Sequence, residues 1–385
     1  MATQYEPGHP SSINRPADGL ANVMETSGLD SLDIRDFRNF KQATLNLAPG
    51  LNLVTGANAS GKTSLLEAIY FLGRVRSFRT HSPDQPIRYG QKAYRLVGRV
   101  ASSSKHTVPV GIERSHSGYT VHLDGQPVRR LSDLAGCFPV QVFSGDTATV
   151  LSGGPRQRRH TLDWALFHVE QRYRDIWQRY TRVLRQRNAA LRAQAAGGEV
   201  CAWDAELLEA AGEIDKFRRN YLDCLSPYLR EELHGLLPGT VLSVQYQQGW
   251  PVAASLAETL TASLDKDRAR GYTQYGPHRA DFRLLLDDHA VAEHCSRGQQ
   301  KTVLLGLMLA QVRYQLSKGG SAGAFMLDDL TSELDEVHQS RVLQSLRQLQ
   351  AQVFVTAIQA DSIDFSAWQP QRLFHVEHGS INEVV

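Results

Sequence analysis

Residues 56 to 63 combine two glycines, a lysine and a hydroxyl side chain at the spacing G-x-x-x-x-G-K-[ST]. Glycine-rich backbone at the start of a helix directs successive N–H groups to one point, where they bind anionic oxygens. Lys62 would reach the β- and γ-phosphates of a nucleotide, and the Thr63 hydroxyl would ligate Mg²⁺. The candidate phosphate-binding residues are Gly56, Ala57, Asn58, Ala59, Ser60, Gly61, Lys62, Thr63 and Ser64.

The surroundings of this motif separate it from a chance match in a surface turn. A short apolar strand is predicted over residues 51–55, directly before the motif. An apolar helix is predicted over residues 64–72, directly after it. A phosphate-binding loop requires this order of strand, loop and helix. The sequence therefore predicts a site for a nucleoside triphosphate.

Two adjacent carboxylates, Asp328 and Asp329, close an apolar stretch late in the chain. A carboxylate at the end of a strand beside a phosphate loop can hold Mg²⁺, and a second one can act as general base toward water. Helix N-capping is the alternative for Asp329, because Thr331 and Ser332 follow it closely. Together with the phosphate loop, the pair favours Asp328 as a metal ligand and Asp329 as the catalytic carboxylate.

A second candidate anion site precedes the acidic pair and consists of Ser296, Arg297, Gly298 and Gln299. A hydroxyl, a glycine N–H group and the positive end of a helix dipole would converge there. One nucleotide does not need two such sites in one chain. Two facing subunits would each offer this run to the γ-phosphate bound by the other. Residues 332–335 after the acidic pair, and Gln141 at a predicted strand end, complete the set.

Length, charge and composition exclude several classes of protein. The 385 residues suffice for two or three domains. A net charge of +2 argues neither for nor against a nucleic-acid partner. The four cysteines lack metal-ligand spacing, so a zinc site or a disulfide framework is not expected. Neither a membrane-spanning run of about 18 apolar residues nor a signal-peptide pattern is found, which predicts a cytoplasmic protein without a membrane partner.

Four segments follow one another along the chain. Residues 1–28, rich in Pro, Gly, Ser and Asn, are predicted to be a disordered leader, with Met24 as an alternative start. Residues 29–150 carry the phosphate loop and several β patterns, 151–270 are mainly helical, and 271–385 return to strands and helices. Strand–helix alternation at both ends predicts an α/β protein whose parallel core sheet is interrupted by an inserted helical lobe.

The predicted lobe contains a local excess of positive charge. Between residues 151 and 192, ten arginines face three acidic residues, a balance of +7. A solvated helix face is one interpretation of such a run. Contact with the phosphate backbone of DNA is the other. The candidate DNA-binding residues are Arg156, Arg179, Arg182 and Arg185.

Taken together, these motifs resemble the ATPase heads of the ATP-binding-cassette (ABC) type, in their DNA-repair and chromosome-maintenance branch. The chain is most similar to the RecF family of bacterial recombination mediators, from about residue 30 to its end. The stretches that carry the resemblance are 34–40, 76–79, 153–156, 186–191, 276–279, 296–301, 328–329 and 332–335. The implied fold is an ABC-type head, a mixed sheet with a phosphate-loop core and an antiparallel β subdomain, plus the inserted helical lobe.

The resemblance also implies residue roles in an ATP-dependent homodimer that closes around two ATP molecules with Mg²⁺. Lys62 and Asp329 would serve catalysis, and Gln141 would sense the metal and the γ-phosphate. The run from Ser296 to Gln299 would cap the partner's γ-phosphate. Two further residues, Asp335 at the dimer interface and Arg38 near the phosphates, belong to the implied site.

The activity implied by the resemblance is weak, DNA-stimulated ATP hydrolysis that releases the protein from DNA. The implied partners are double-stranded DNA near single-strand gaps, RecR together with RecO, and indirectly RecA, which is loaded on the single strand. These functions belong to recombinational repair and replication restart.

The main alternative is the ATPase subunit of an ABC-type transporter. The switch histidine of transporter ATPases has no counterpart after residues 353–355, where Thr356 and Ala357 stand. An insertion of more than a hundred residues between Gln141 and Ser296 also argues against a transporter. A GTPase is disfavoured since no Asn-Lys-x-Asp motif is present. The insertion lacks sustained heptads, which predicts a compact lobe and not a long coiled coil.

Overall fold

The computed structural model describes residues 28–80, 82–101, 107–115, 118–128, 134, 136–145 and 149–384. The predicted leader lies outside this part of the chain except for Gly28.

The strands are β1 Leu29–Phe37, β2 Phe40–Asn46, β3 Leu51–Thr55, β4 Ala93–Ala101, β5 Thr107–Ser115, β6 Gly118–Leu123, β7 Gln126–Pro127, β8 Val140–Phe143, β9 Leu242–Gln247, β10 Asp281–Leu286, β11 His289–Ala290, β12 Ala324–Leu327, β13 Gln352–Ala357, β14 Gln371–Glu377 and β15 Ser380–Val384.

Apart from the first one, the described helices lie between residues 149 and 348. They are α1 Lys62–Arg74, α2 Thr149–Ser152, α3 Pro155–Val169, α4 Gln171–Arg192, α5 Gly197–Cys201, α6 Asp204–Leu236, α7 Leu256–Arg270, α8 Val291–His294, α9 Arg297–Ser317, α10 Leu330–Glu333 and α11 Glu336–Gln348. Short 3₁₀ turns cover Pro277–Arg279 and Ala360–Ser362. No described helix has the length and apolar character needed to span a membrane.

The core sheet has the strand order β15-β14-β3-β13-β12-β8. The strands from β14 to β8 are parallel, and β15 pairs antiparallel at one edge. The register pairs Leu327 of β12 with Val355 of β13 and with Phe143 of β8. The carboxyl ends of these strands therefore meet at one edge, where ligands bind in parallel sheets.

The second sheet is an antiparallel meander with the order β2-β1-β4-β5-β6-β7. Its β6–β7 turn places Asp124 at φ 52° and Gly125 at φ 74°. Positive φ at both central residues is the geometry that a tight hairpin turn requires. The predicted antiparallel β subdomain is thus observed.

Helix α1 joins the two sheets, since residues 64–73 are all buried. Its Phe71 packs edge-on against Phe37 of β1 and Tyr94 of β4, with ring centroids 5.5 and 5.7 Å away. The helix that begins in the phosphate loop is therefore fixed by apolar packing along its whole length.

The helical segment shares its core with the other face of the parallel sheet. Helices α4, α6 and α9 pack with β3, β12 and β13 in one continuous apolar cluster. Strand β9, inside the predicted lobe, pairs with β10 of the C-terminal segment. The boundaries at residues 150 and 270 stay a prediction, because packing and pairing cross them.

Candidate nucleotide site

The phosphate loop follows β3 and opens α1, as the sequence predicts. Gly56 and Gly61 have φ values of 146° and 124°, which favour glycine. A Cβ atom on Gly56 would also lie 2.3 Å from the Val376 carbonyl oxygen. Asn39, which the sequence analysis missed, donates from Nδ2 to the Ser60 carbonyl at 2.8 Å. The loop is thus held from both sides in a curled conformation.

The Lys62 side chain folds back across the loop. Its Nζ donates to the carbonyl oxygens of Gly56 at 2.7 Å and Ala57 at 3.0 Å. Burial lowers the pKa of Lys62, whereas the nearby Asp329 and Asp328 carboxylates oppose this shift. A cation in this position faces the place where phosphate oxygens would meet the N–H groups of the loop.

Asp328 is the centre of a hydroxyl network between three segments. Its Oδ1 accepts a hydrogen bond from Thr63 Oγ1 at 3.0 Å and another from Thr356 Oγ1 at 2.8 Å. Burial raises the pKa of Asp328, although both hydroxyl groups favour its charged form. Two of the three residues predicted at the metal, Thr63 and Asp328, are therefore in direct contact.

Thr356 is the penultimate residue of β13, and its role was not predicted. Besides donating to Asp328, its hydroxyl accepts from the Asp329 N–H group at 2.7 Å. It therefore positions both members of the acidic pair. The sequence signal for this residue is its place at the end of the buried strand β13.

Asp329 has φ 53°, in the left-handed region, and precedes the four-residue helix α10. Its side chain does not cap that helix, so the capping alternative is not observed. Within the described chain, its Oδ1 is buried without a hydrogen-bond partner, as is Ser60 Oγ in the loop. Two such atoms beside one phosphate loop leave hydrogen-bonding capacity for a ligand or water. Carboxylate and hydroxyl oxygens suit Mg²⁺, so the residues present fit a magnesium nucleotide.

A cavity of about 950 Å³ brings these parts together. Residues 58–59 and 61–64 of the phosphate loop line it, together with both aspartates, Thr356, Arg38 and Asn39. Arg79, Arg88 and Tyr89, which the sequence analysis missed, also line this cavity. They come from the segment between α1 and β4, whose sequence offers no periodic pattern.

Arg38 lies at the cavity, but its guanidinium group is already engaged. Nε and Nη2 donate to the two carboxylate oxygens of Glu67 at 2.7 and 2.6 Å. Glu67 is fully buried in α1, and this bidentate pair neutralises its charge together with Arg79, whose Nη1 lies 3.7 Å from Glu67 Oε2. The predicted contact of Arg38 with phosphates stays a prediction.

Gln141, predicted at a strand end, does not line this cavity. It is the second residue of β8, opposite Phe325, whereas the Asp328 N–H group bonds to the carbonyl of Phe143. Because β8 continues to Phe143, Gln141 lies nearer the amino end of this strand than the edge of the sheet that carries Asp328. It faces a separate cavity of about 510 Å³. This placement does not support the predicted metal-sensing role.

The run from Ser296 to Gln299 forms the N-terminus of α9, as predicted. Ser296 Oγ accepts from the Gln299 N–H group at 3.2 Å, and Gln299 Oε1 accepts from the Ser296 N–H group at 2.9 Å. Asp335 caps α11 by accepting from the His338 N–H group at 2.9 Å, which lowers the Asp335 pKa. Neither Asp335 nor any residue of the run, Arg297 and Gly298 included, lines the nucleotide cavity of the same chain.

The arginine excess is partly neutralised by acidic residues of α6. Arg179 pairs with Glu206 at 3.1 Å and with Glu209, and Arg182 pairs with Glu206 at 3.0 Å. Arg156 and Arg185 are exposed. The structure thus favours an ion-paired helix face for Arg179 and Arg182.

Comparison with known proteins gives one consistent result. Residues 28–382 match the family described as RecF/RecN/SMC N terminal domain. The chain is 41% identical over 355 residues to the DNA replication and repair protein RecF of Thioalkalivibrio sulfidiphilus, covering 92% of this chain and 98% of that relative.

Two solved structures share the fold at 25 to 26% identity. One is the recombination mediator protein RecF-ATP in the RecFOR pathway, with a TM-score of 0.86 over 95% of this chain and 100% of that chain. The other is RecF-ATPrS of the same pathway, with a TM-score of 0.84 over 94% and 99% of the two chains. The predicted ABC-type head fold is confirmed.

Proposed function

Since the chain belongs to the RecF family of DNA replication and repair proteins, we propose that it is an ATP-dependent DNA-binding protein. In the ATP-bound state a homodimer holds double-stranded DNA near a single-strand gap. The observation that carries this proposal is the Thr63–Asp328–Thr356 network beside the phosphate loop, with the unpaired Asp329 Oδ1 next to it. The solved relatives named as RecF-ATP and RecF-ATPrS support ATP as the nucleotide.

Thr63 and Asp328 would hold Mg²⁺, which when bound supplies positive charge to the phosphates. Lys62 would exchange its bonds to the loop carbonyls for phosphate oxygens. Asp329, fixed at its N–H group by Thr356, would orient the attacking water and accept its proton. Because burial makes Asp328 harder to ionise, the two hydroxyl groups help to keep it in the anionic form that a metal requires.

A second copy of the chain would complete this nucleotide site. The N-terminus of α9 carries a hydroxyl and free helical N–H groups, and it lies outside the nucleotide cavity of its own chain. Such an end binds anions, so the run from Ser296 to Gln299 would cap the γ-phosphate bound by the facing subunit. Asp335, whose side chain is 65% exposed, would cross the same interface.

The proposed function also covers the rate of ATP hydrolysis and the protein partners. Hydrolysis is slow and DNA-stimulated, and it releases the dimer from DNA. RecR with RecO are the direct partners, and RecA is loaded on the adjacent single strand. Among the four candidate arginines, Arg156 and Arg185 are exposed and form no ion pair with a described residue, which leaves them available for phosphate contacts. A transporter subunit is not favoured, since the relative that matches 92% of the chain is a replication and repair protein.

Binding to labelled gapped duplex DNA, measured by fluorescence anisotropy with and without ATP and Mg²⁺, tests the proposal. ATP should tighten binding of the wild-type protein. Lys62→Met should abolish this effect because it removes the cation at the phosphates, whereas Lys41→Met, an exposed lysine of β2, should retain it. Equally weak binding in all conditions would contradict the proposal, as would normal ATP affinity in Lys62→Met.

A further inference from the structure

A groove of about 840 Å³ lies between residues 245–252 and 270–279, apart from the nucleotide cavity. Four aromatic residues and two arginines line it, together with four glutamines. Among the described residues at this groove there is no aspartate or glutamate. The aromatic residues are Tyr246, Trp250, Tyr272 and Tyr275.

The two walls are fixed to each other by glycine backbone. The Gly276 N–H group donates to the Gly249 carbonyl at 3.2 Å. Gly249 has φ 96°, and a Cβ atom there would lie 2.3 Å from the Gly276 carbonyl oxygen. This close approach requires glycine, so the groove has a defined shape before any ligand binds.

No described carboxylate pairs with the two arginines of the groove. Arg270 and Arg279 are exposed, and neither forms an ion pair with a described residue. Arg270 Nη1 donates to Gln274 Oε1 at 2.7 Å, and the Arg279 guanidinium lies 5.4 Å from the ring centroid of Tyr272. They differ in this from Arg179 and Arg182, whose charges α6 neutralises. An anion at this groove would thus meet two uncompensated positive charges.

We propose that this groove binds an unpaired DNA strand. Arg270 and Arg279 contact its phosphates, and bases stack on Tyr272 and on the partly exposed Trp250. Unpaired cations beside aromatic faces are the chemistry of single-strand sites. Bases in a duplex already stack on one another and do not offer their faces to such rings. The inference rests on the proposed DNA-binding function and assigns to this groove the single-stranded side of a gap.

Anisotropy with three labelled probes tests the groove: a 20-nucleotide oligo-dT, a blunt duplex and the gapped duplex. Tyr272→Ala and Arg279→Gln should each weaken oligo-dT binding about tenfold. Arg279→Gln should also reduce the slope of log K against log salt by about 0.7. Blunt-duplex and ATP binding should not change. Tyr119→Ala and Arg114→Gln are matched controls, since Arg114 lies 4.6 Å from the Tyr119 ring centroid in the antiparallel sheet.

The outcomes separate the groove from the wider function. If ATP tightens binding of gapped DNA and the groove variants equal wild type on every probe, single-strand binding at the groove is refuted and the proposed DNA-binding function is not. A wild-type protein that binds none of the probes overturns the DNA-binding function as well. Binding of a poly-glutamate peptide in place of oligo-dT, with the same dependence on Tyr272 and Arg279, would make the occupant an acidic protein segment and overturn the inference. Photocrosslinks from 5-iododeoxyuridine in oligo-dT should map to peptides containing Trp250 or Tyr272.

Discussion

The Lys301 ammonium group lies 2.6 Å from Glu333 Oε2, and this ion pair joins the second turn of α9 to the end of α10. The two side chains are 23% and 16% exposed, so solvent screens the pair only in part. The pair fixes the helix start at Ser296 relative to the segment that carries Asp335. Both structures proposed to face a partner subunit are thereby held in one arrangement.

Removing this ion pair should lower the stability of the folded chain slightly. It should weaken ATP-dependent dimerisation more strongly. Lys301→Met is expected to lower the free energy of unfolding by about 1 kcal/mol. A double-mutant cycle with Glu333→Gln, measured by urea denaturation, gives the coupling of the pair. ATP-dependent dimerisation, measured by sedimentation, should also weaken. Lys266→Met, an exposed lysine of α7, is the control, and strictly additive effects would show that the two side chains do not interact.

Ser296→Arg should leave ATP binding intact and prevent the ATP-dependent dimer, because a bulky cation would replace the hydroxyl at the start of α9. Ser255→Arg is a close control, since Ser255 caps α7 through the same kind of capping box with Glu258. Each change should cost about 1 kcal/mol of stability through the lost cap. Size-exclusion chromatography with ATP distinguishes the two variants. An ATP-induced dimer of Ser296→Arg would refute the trans role.

Asp329→Asn should keep nucleotide affinity and reduce hydrolysis by about 10²-fold or more, because an amide does not accept the proton of the attacking water. The ATP-bound dimer should consequently persist longer. Phosphate release measures the rate, and binding of a fluorescent ATP analogue measures the affinity. Asp361→Asn, an exposed carboxylate, should behave as wild type. Undiminished hydrolysis in Asp329→Asn would remove this residue from the catalytic assignment.

Acid should destabilise the protein through His278. Its Nε2 donates to the Thr273 carbonyl at 3.0 Å, its Nδ1 accepts from the Tyr180 hydroxyl at 2.6 Å, and burial lowers the His278 pKa to about 4. The unfolded chain takes up this proton near pH 6.5. The stabilisation is therefore complete above about pH 6.5 and is lost as the pH falls toward 4, by up to about 3 kcal/mol.

Urea denaturation of wild type and His278→Gln between pH 7.5 and 4.5 checks this expectation. The stability difference between the two proteins should be largest at neutral pH and should shrink in acid. His234→Gln, an exposed histidine of α6, is the control. Parallel profiles for wild type and His278→Gln would mean that protonation of His278 is not linked to folding.

Local features of the chain could be predicted from the sequence because they depend on neighbours a few residues away. The phosphate loop is specified by its glycines, by Lys62 and by the flanking strand and helix. The cap at Ser296 is completed by Gln299, three residues later, and the hairpin by Asp124 and Gly125. Each needs only backbone geometry within one turn.

Other features were decided by the tertiary structure alone, because they depend on strand register and on packing between distant segments. Thr63 and Asp328 are 265 positions apart, and their contact exists because β3, β13 and β12 align their carboxyl ends. The same register gives Thr356 its role and places Gln141 away from the site. The charge of Arg179 and Arg182 was visible in the sequence, but its neutralisation required α6 to pack beside α4. Sequence determined which groups this protein carries, and only the fold determined which of them meet, because contact between remote residues is set by the packing of whole strands and helices.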